Sequence, residues 1–242
     1  MSTTRTPERV RTVRSTRRPQ LTAAGLLIVI GAIANTIVST FHPSEQDPND
    51  HPAFFAEYAA STDWIWVHYG QFAAVMLLLG GFVVLHRALV AGHSPRIVDQ
   101  LALIATIMSA ATLTVLQAVD GVALKHAVDA WAAATGPEQI ARFGDAEIVR
   151  WVEWGLNSFF YTLVGLTVGL FGLAIVIRTV VPRWLGGSAM LCGLGLIINA
   201  VPVGFRGFAA TPVGMVAVLL LAVTAIGIAV SGLRRTQAQP IT

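Results

Sequence analysis

Long apolar runs alternate with shorter polar connections along this chain. A helix needs about 20 predominantly apolar residues to cross a hydrocarbon core ~30 Å thick, because each residue adds ~1.5 Å. Their Leu, Ala, Gly and Val do not alternate every second residue, which argues against a lipid-facing barrel. The pattern predicts an all-α, polytopic membrane helix bundle with six transmembrane helices, at residues 21–41, 69–86, 99–122, 154–177, 184–204 and 212–232.

The same pattern predicts a single membrane domain. It covers residues 21–233, between a basic flexible tail (1–20) and a second short tail (234–242). Only two connections, 42–68 and 123–153, are long enough to fold on themselves. We expect a short helix over 53–60, capped by Asp50, in the first of them. In the second we expect a helix near 127–134 and a cap at Asp145 for the fourth span.

Composition supports the membrane assignment. Of the 242 residues, 55% are hydrophobic and 12% are charged. A soluble domain has about 25% charged residues, so this chain could not cover its surface in water. The single cysteine, Cys192, excludes a disulfide scaffold within one chain.

Charge predicts the orientation. Twelve of the sixteen basic residues fall on the side of the two termini, and eleven of the thirteen acidic residues fall on the other side or at the helix ends facing it. Excess Arg and Lys marks the cytoplasmic side, so we expect both termini in the cytoplasm and the two long connections outside. This asymmetry explains the basic character of the chain, and we expect no nucleic-acid partner.

Polar side chains within the spans gather toward the predicted outer ends. Such side chains are expensive in hydrocarbon, at roughly 2.5–3.5 kcal/mol for an ionisable group at the span centre, and therefore face the bundle interior or water. We predict a polar pocket that opens outward; interhelical hydrogen bonds worth about 0.6 kcal/mol each are the structural alternative. The residues concerned are Asn35, Ser39 and His42 on the first helix, His68 and Gln71 on the second, Gln117 and Asp120 on the third, and Glu153, Asn157 and Tyr161 on the fourth.

Roles follow from residue type. Asp120, Glu153 and His68 are candidate catalytic residues, because carboxylates and imidazole serve as general acids and bases. The amides and the phenol are candidate substrate-binding residues: Gln71, Gln117, Asn157, Tyr161 and Asn35.

Arg150 affects which of these carboxylates is free. It lies three residues from both Glu147 and Glu153 and can pair with either acid on a helix. If it pairs with Glu147, Glu153 stays free at the pocket mouth. An ion-pair ladder is the alternative.

Three histidines are candidate metal ligands: His42, His51 and His68. Imidazole with nearby carboxylates suits zinc, copper or iron, and His42 with His68 could ligate a haem. No His-Glu-x-x-His motif is present, and the pattern is equally compatible with no cofactor.

Five segments of the chain contain recognisable motifs. They are 42–58 (His-Pro … Asp-Pro-Asn-Asp-His-Pro … Phe-Ala-Glu-Tyr), 67–72, 116–125 (Leu-Gln-Ala-Val-Asp-Gly-Val-Ala-Leu-Lys), 153–158 (Glu-Trp-Gly-Leu-Asn-Ser) and 181–186 (Val-Pro-Arg-Trp-Leu-Gly). These motifs resemble those of a family of bacterial six-helix integral membrane proteins, a domain of unknown function. The resemblance covers nearly the whole chain from the first span onward and implies a six-helix bundle in a bacterial plasma membrane; it brings no activity.

Three kinds of function remain open from the sequence. The first is a membrane enzyme or binder that acts on an apolar or amphipathic small molecule by acid/base or metal-assisted chemistry. The second is a non-catalytic subunit or scaffold, packed against a larger membrane complex or a second copy of the chain. The third is a transporter for a small solute. In all three the lipid bilayer is a partner.

Overall fold

A computed structural model describes residues 7–209 and 211–233. Every regular element in this part of the chain is helical. The helices are α1 (Pro7–Ser39), α2 (His51–Ala60), α3 (Trp64–Val90), α4 (Ile97–Ala118), a π-helical segment (Val119–Leu124), α5 (Lys125–Ala133), α6 (Pro137–Arg178), α7 (Arg183–Ala200), α8 (Val203–Arg206) and α9 (Pro212–Leu233).

Six helical stretches in the described residues are long and apolar enough to cross a membrane. This confirms the predicted all-α bundle of six spans and makes the chain a multi-pass membrane protein. The stretches are Arg17–Ser39, Trp64–Val90, Ile97–Ala133, Pro137–Arg178, Arg183–Arg206 and Pro212–Leu233.

Small residues bring the helices into close contact. A Cβ on Gly25 of α1 would lie 2.5 Å from the carbonyl oxygen of Ala225 in α9, and a Cβ on Gly165 of α6 would lie 2.7 Å from the carbonyl oxygen of Gly193 in α7. Backbones that approach this closely are typical of membrane helices, which associate through packing rather than through exclusion of water. Gly232, which follows Ala225 in α9, lies against Thr22, which precedes Gly25 in α1, so these two helices are antiparallel.

The first connection folds over the end of the bundle where α1 ends and α3 begins. Its helix α2 starts at His51, and the Asp50 side chain caps it by accepting a hydrogen bond from the Ala53 amide at 3.3 Å. The second connection is helical rather than a loop, because α4 continues through the π-helical segment into α5. A second apolar cluster joins α2 to this extension and consists of Phe54, Phe55, Tyr58, Trp64, Leu124, Val128 and Ala146.

One predicted boundary was wrong. Asp145 lies inside α6, which has 42 residues and starts at Pro137, a residue suited to a first helical turn. Within the predicted tail, 1–20, α1 begins at Pro7. Residues 1–6 of that tail and the whole tail 234–242 lie outside the described residues.

Candidate functional site

A cavity of about 380 Å³ lies at the end of the bundle that α2 covers. We call it the polar chamber; its size falls within the ~300–1,000 Å³ typical of ligand pockets. Seven of the eight predicted catalytic and substrate-binding residues line it; the eighth, His68, lies behind Asp120. The polar and charged lining comprises Asn35, Ser39, His42, Ser44, Gln46, Tyr58, Gln71, Gln117, Asp120, Arg150, Glu153, Asn157 and Tyr161.

His68 and Asp120 form a buried pair at the chamber wall. Nε2 of His68 lies 3.0 Å from Oδ2 of Asp120, and Nδ1 lies 2.8 Å from the carbonyl oxygen of Trp64. A carbonyl only accepts, so Nδ1 carries a proton that it donates to Trp64. Nε2 and Oδ2 then share a second proton, because two bare lone pairs at this distance would repel each other. The pair is a neutral proton-sharing dyad, with Asp120 facing the chamber.

The π-helical segment positions Asp120. Such single-turn segments inside α-helices are rare and are frequent at functional sites. Here the Trp64 indole donates to the Asp120 carbonyl at 2.9 Å, which ties the segment to α3. Gly121 lets the segment approach the imidazole, since a Cβ there would lie 2.5 Å from Cβ of His68.

Arg150 and Glu153 form a second buried pair. Arg150 is 1% exposed and Glu153 is 2% exposed, and Nη1 of Arg150 donates to Oε2 of Glu153. Nη2 of Arg150 donates to the Pro48 carbonyl at 2.9 Å, and the guanidinium lies 4.0 Å from the centre of the Phe54 ring. Burying two charges is tolerated only when they are paired and bonded in this way.

The alternative in which Glu153 stays free is therefore wrong. Arg150 pairs with Glu153, while Glu147 lies 2.9 Å from Nδ1 of His51. Asn157 donates to the other oxygen of Glu153 at 3.4 Å. Glu153 thus holds Arg150 and Asn157 in place.

The structure does not bring the three histidines predicted as metal ligands together in one group. His51 pairs with Glu147 and packs against Phe55 and Trp154. The rings of His42 and His68 lie 5.4 Å apart, but both nitrogens of His68 are engaged within the dyad. Among the described residues, no three His, Cys, Asp or Glu side chains form a group suited to a metal.

His42 and Tyr58 belong to the connection that closes the chamber. Nδ1 of His42 lies 2.7 Å from the Pro43 carbonyl, so Nε2 is left as an acceptor in the neutral ring. Burial lowers the pKa of His42, and Asp120 opposes this effect. Burial raises the pKa of the Tyr58 phenol well above its ordinary value. Both side chains are therefore uncharged at neutral pH.

An open groove of about 750 Å³ adjoins the chamber along α7 and α9. The two cavities share four lining residues: Pro48, Asn157, Tyr161 and Phe208. The rest of the groove is mainly apolar and reaches the lipid-facing surface of α9 at Met215, Val218 and Leu219.

Sequence reasoning missed the contact between Asn49 and Phe208, a residue that lines both cavities. The Asn49 side chain donates to the Phe208 carbonyl at 2.8 Å and accepts from the Phe208 amide at 2.9 Å. The Phe208 ring lies 4.9 Å from the Arg150 guanidinium. Asn49 and Phe208 are 159 residues apart in the chain, and no local spacing indicates their contact.

Comparisons with protein-family models, with curated proteins and with solved structures found no match for this chain.

Proposed function

We propose that this protein binds an amphipathic molecule in the membrane and transfers a proton at its polar head group through the His68–Asp120 dyad. The observation that carries the proposal is that the polar chamber and the apolar groove adjoin each other and share the lining residues Pro48, Asn157, Tyr161 and Phe208. A polar head in the chamber and an apolar tail in the groove would each meet a matching surface.

The dimensions of the groove suit a tail. Its lining along this side runs from Thr211, directly before α9, to Leu219 in α9, about 12 Å at 1.5 Å per residue. This is less than half of the ~30 Å hydrocarbon core, so a longer tail would continue into the lipid. A molecule could reach this position sideways from the bilayer without crossing water.

The chemistry we propose is acid/base catalysis by the dyad. Asp120 lines the chamber, and His68 behind it holds the shared proton. The Nδ1 donor bond to Trp64 keeps Nε2 directed at Asp120, so the one shared proton can pass from Nε2 through Asp120 to a ligand. This leaves a neutral imidazole beside the Asp120 carboxylate, and the dyad is restored when it takes up a proton from the product or from water. Glu153 has no direct catalytic part in this proposal, since it holds Arg150.

We further propose that the chamber faces outward from a bacterial plasma membrane, with both termini in the cytoplasm. The support is the charge asymmetry of the sequence, in which twelve of sixteen basic residues fall on the side of the termini. Labelling of single cysteines in intact cells tests this orientation. A membrane-impermeant reagent should modify Glu45→Cys and leave Arg96→Cys unmodified, both in a Cys192→Ala background.

Occupancy of the groove is the test of the proposed binding function. Val218 lines the groove, whereas Val216, on the same helix and similarly exposed at 54% against 59%, does not. We expect an organic extract of the purified protein to contain an amphipathic molecule in stoichiometric amount by mass spectrometry. Val218→Trp should reduce it at least fivefold and Val216→Trp should leave it unchanged. Equal amounts in all three proteins, or no bound molecule in any, would overturn the proposal.

A further inference from the structure

We infer that the polar chamber selects an uncharged head group that carries hydroxyl groups, and that it discriminates against ammonium and phosphate heads. This inference rests on the proposed binding function and adds the chemical class of the ligand. Three observations support it: the balance of charge in the chamber, its uncharged polar atoms and its aromatic walls.

The charges of the chamber are already matched in pairs. Among the described lining residues the only charged side chains are Asp120, Arg150 and Glu153. Arg150 is bonded to Glu153 and to the Pro48 carbonyl, and Asp120 shares a proton with His68. An ionic head group would therefore bring a charge without a free counter-charge into a partly enclosed site, which is unfavourable.

The uncharged polar side chains offer acceptors. Gln71 donates its amide to the Ser39 hydroxyl at 3.0 Å, and Asn157 donates its amide to Glu153, so both carbonyl oxygens remain available. His42 contributes the lone pair of Nε2. Two further oxygens, Oε1 of Gln117 and Oδ1 of Asp120, are buried without a hydrogen-bond partner in the protein. Because an unpaired buried acceptor is costly, this set favours a ligand with several donors.

Hydroxyl groups supply such donors without a net charge, and they can also accept from the chamber's phenols. Aromatic side chains add flat apolar walls for the C–H face of a polyol or sugar ring. The rings among the described lining residues are Phe54, Tyr58, Phe160, Tyr161 and Phe208.

Head-group selectivity can be measured with three probes that share one tail. The wild-type protein in phosphatidylcholine nanodiscs is unfolded by heat with dodecyl glucoside, dodecylammonium or dodecyl phosphate, each at the same concentration. A ligand that binds only the folded state raises the unfolding temperature. We expect a rise of about 3 °C or more with the glucoside and none with the two ionic probes.

A matched pair of variants separates binding from effects on the bilayer. Gln71→Leu removes one acceptor from the chamber at similar volume and should abolish the rise, whereas Val216→Trp, outside both cavities, should keep it. If the unfolding temperature rises as much in Gln71→Leu as in the wild type, the rise comes from an effect of the probe on the bilayer, and the inference is overturned.

The probes also distinguish the two proposals. A larger rise with dodecylammonium or dodecyl phosphate would overturn the head-group class, while binding of an amphipath in the chamber would still stand. If no probe acts on the wild type beyond its effect on Gln71→Leu, and the organic extract is empty, both proposals fail.

Discussion

Nε2 of His68 lies 3.0 Å from Oδ2 of Asp120, on the side of the imidazole opposite to its bond with the Trp64 carbonyl. The carbonyl fixes the proton of Nδ1, so the contact with Asp120 must contain the second proton of the pair. The same geometry explains why His68 does not line the polar chamber itself. It is 2% exposed, and Asp120 lies between its imidazole and the chamber.

Asp120→Asn should remove the shared proton of the dyad and keep the packing of the side chain. The new amide can donate to Nε2 of a neutral imidazole, so we expect the unfolding temperature to stay close to that of the wild type. Asp120→Ala should instead leave Nε2 buried and unpaired, at a cost of about 1–3 kcal/mol.

The measurement is ¹⁵N NMR of labelled His68 together with thermal unfolding. In Asp120→Asn we expect one protonated nitrogen, Nδ1, and one bare nitrogen, Nε2. A wild-type spectrum already showing a bare Nε2 would contradict the shared proton.

Gly121 and Gly155 are a matched pair of helical glycines. A Cβ at Gly121 would lie 2.5 Å from Cβ of His68, whereas a Cβ at Gly155 has nothing within 4 Å. We expect Gly121→Ala to destabilise by about 1–3 kcal/mol through overpacking. Gly155→Ala should stabilise by up to about 1 kcal/mol, since alanine restricts the unfolded chain. Thermal unfolding in nanodiscs measures both, and equal shifts in the same direction would show that Gly121 is not in close contact with His68.

The hydrophobic pattern was sufficient for the fold because a membrane span is a local property of about 20 residues. The segment 154–177, for example, is contained in α6. The pattern could not locate where α6 begins, since residues 137–153 are polar enough to read as a loop. They are helical because Pro137 starts a helix and because Ala146 packs into the cluster with Phe55 and Trp64.

The site was predictable only where one helix face determines it. Asn157 and Tyr161 follow Glu153 at intervals of four residues and line the chamber together. The pairing of Arg150 was not predictable, because Glu147 and Glu153 both lie three residues from it on the same helix. Tertiary contacts decide it: His51 of α2 engages Glu147, and the Pro48 carbonyl fixes Arg150 beside Glu153.

Asp99 and Arg178 form a buried ion pair at the opposite end of the bundle. Asp99 is 1% exposed, accepts from the Arg178 guanidinium and also caps α4 through the Arg96 amide at 2.7 Å. Asp99→Ala removes one partner and leaves a buried cation, so we expect a loss of about 3 kcal/mol. Thermal unfolding measures this loss. The glucoside-induced rise should survive, because the pair is remote from the polar chamber; its disappearance would contradict this separation.

His42 predicts a specific dependence of stability on pH. Its pKa is lowered from an ordinary value of 6.5 because the ring is buried, while Asp120 acts in the opposite direction and His68 and Arg150 add to the lowering. As the pH falls through 6.5, the unfolded chain takes up a proton at His42 and the folded protein does not. The folded state therefore loses stability from that pH downward, until the pH has passed the lowered pKa.

The contribution of His42 to the pH dependence of stability is obtained by comparing the wild type with His42→Asn. We expect the unfolding temperature of the wild type to fall more steeply below pH 6.5 than that of His42→Asn, with parallel curves above it. In an Asp120→Asn background the opposing attraction is gone, so the pKa of His42 should fall further and the difference between the curves should extend to lower pH. Curves that stay parallel throughout, or a wild type that gains stability on acidification relative to His42→Asn, would show that His42 is not held neutral by burial.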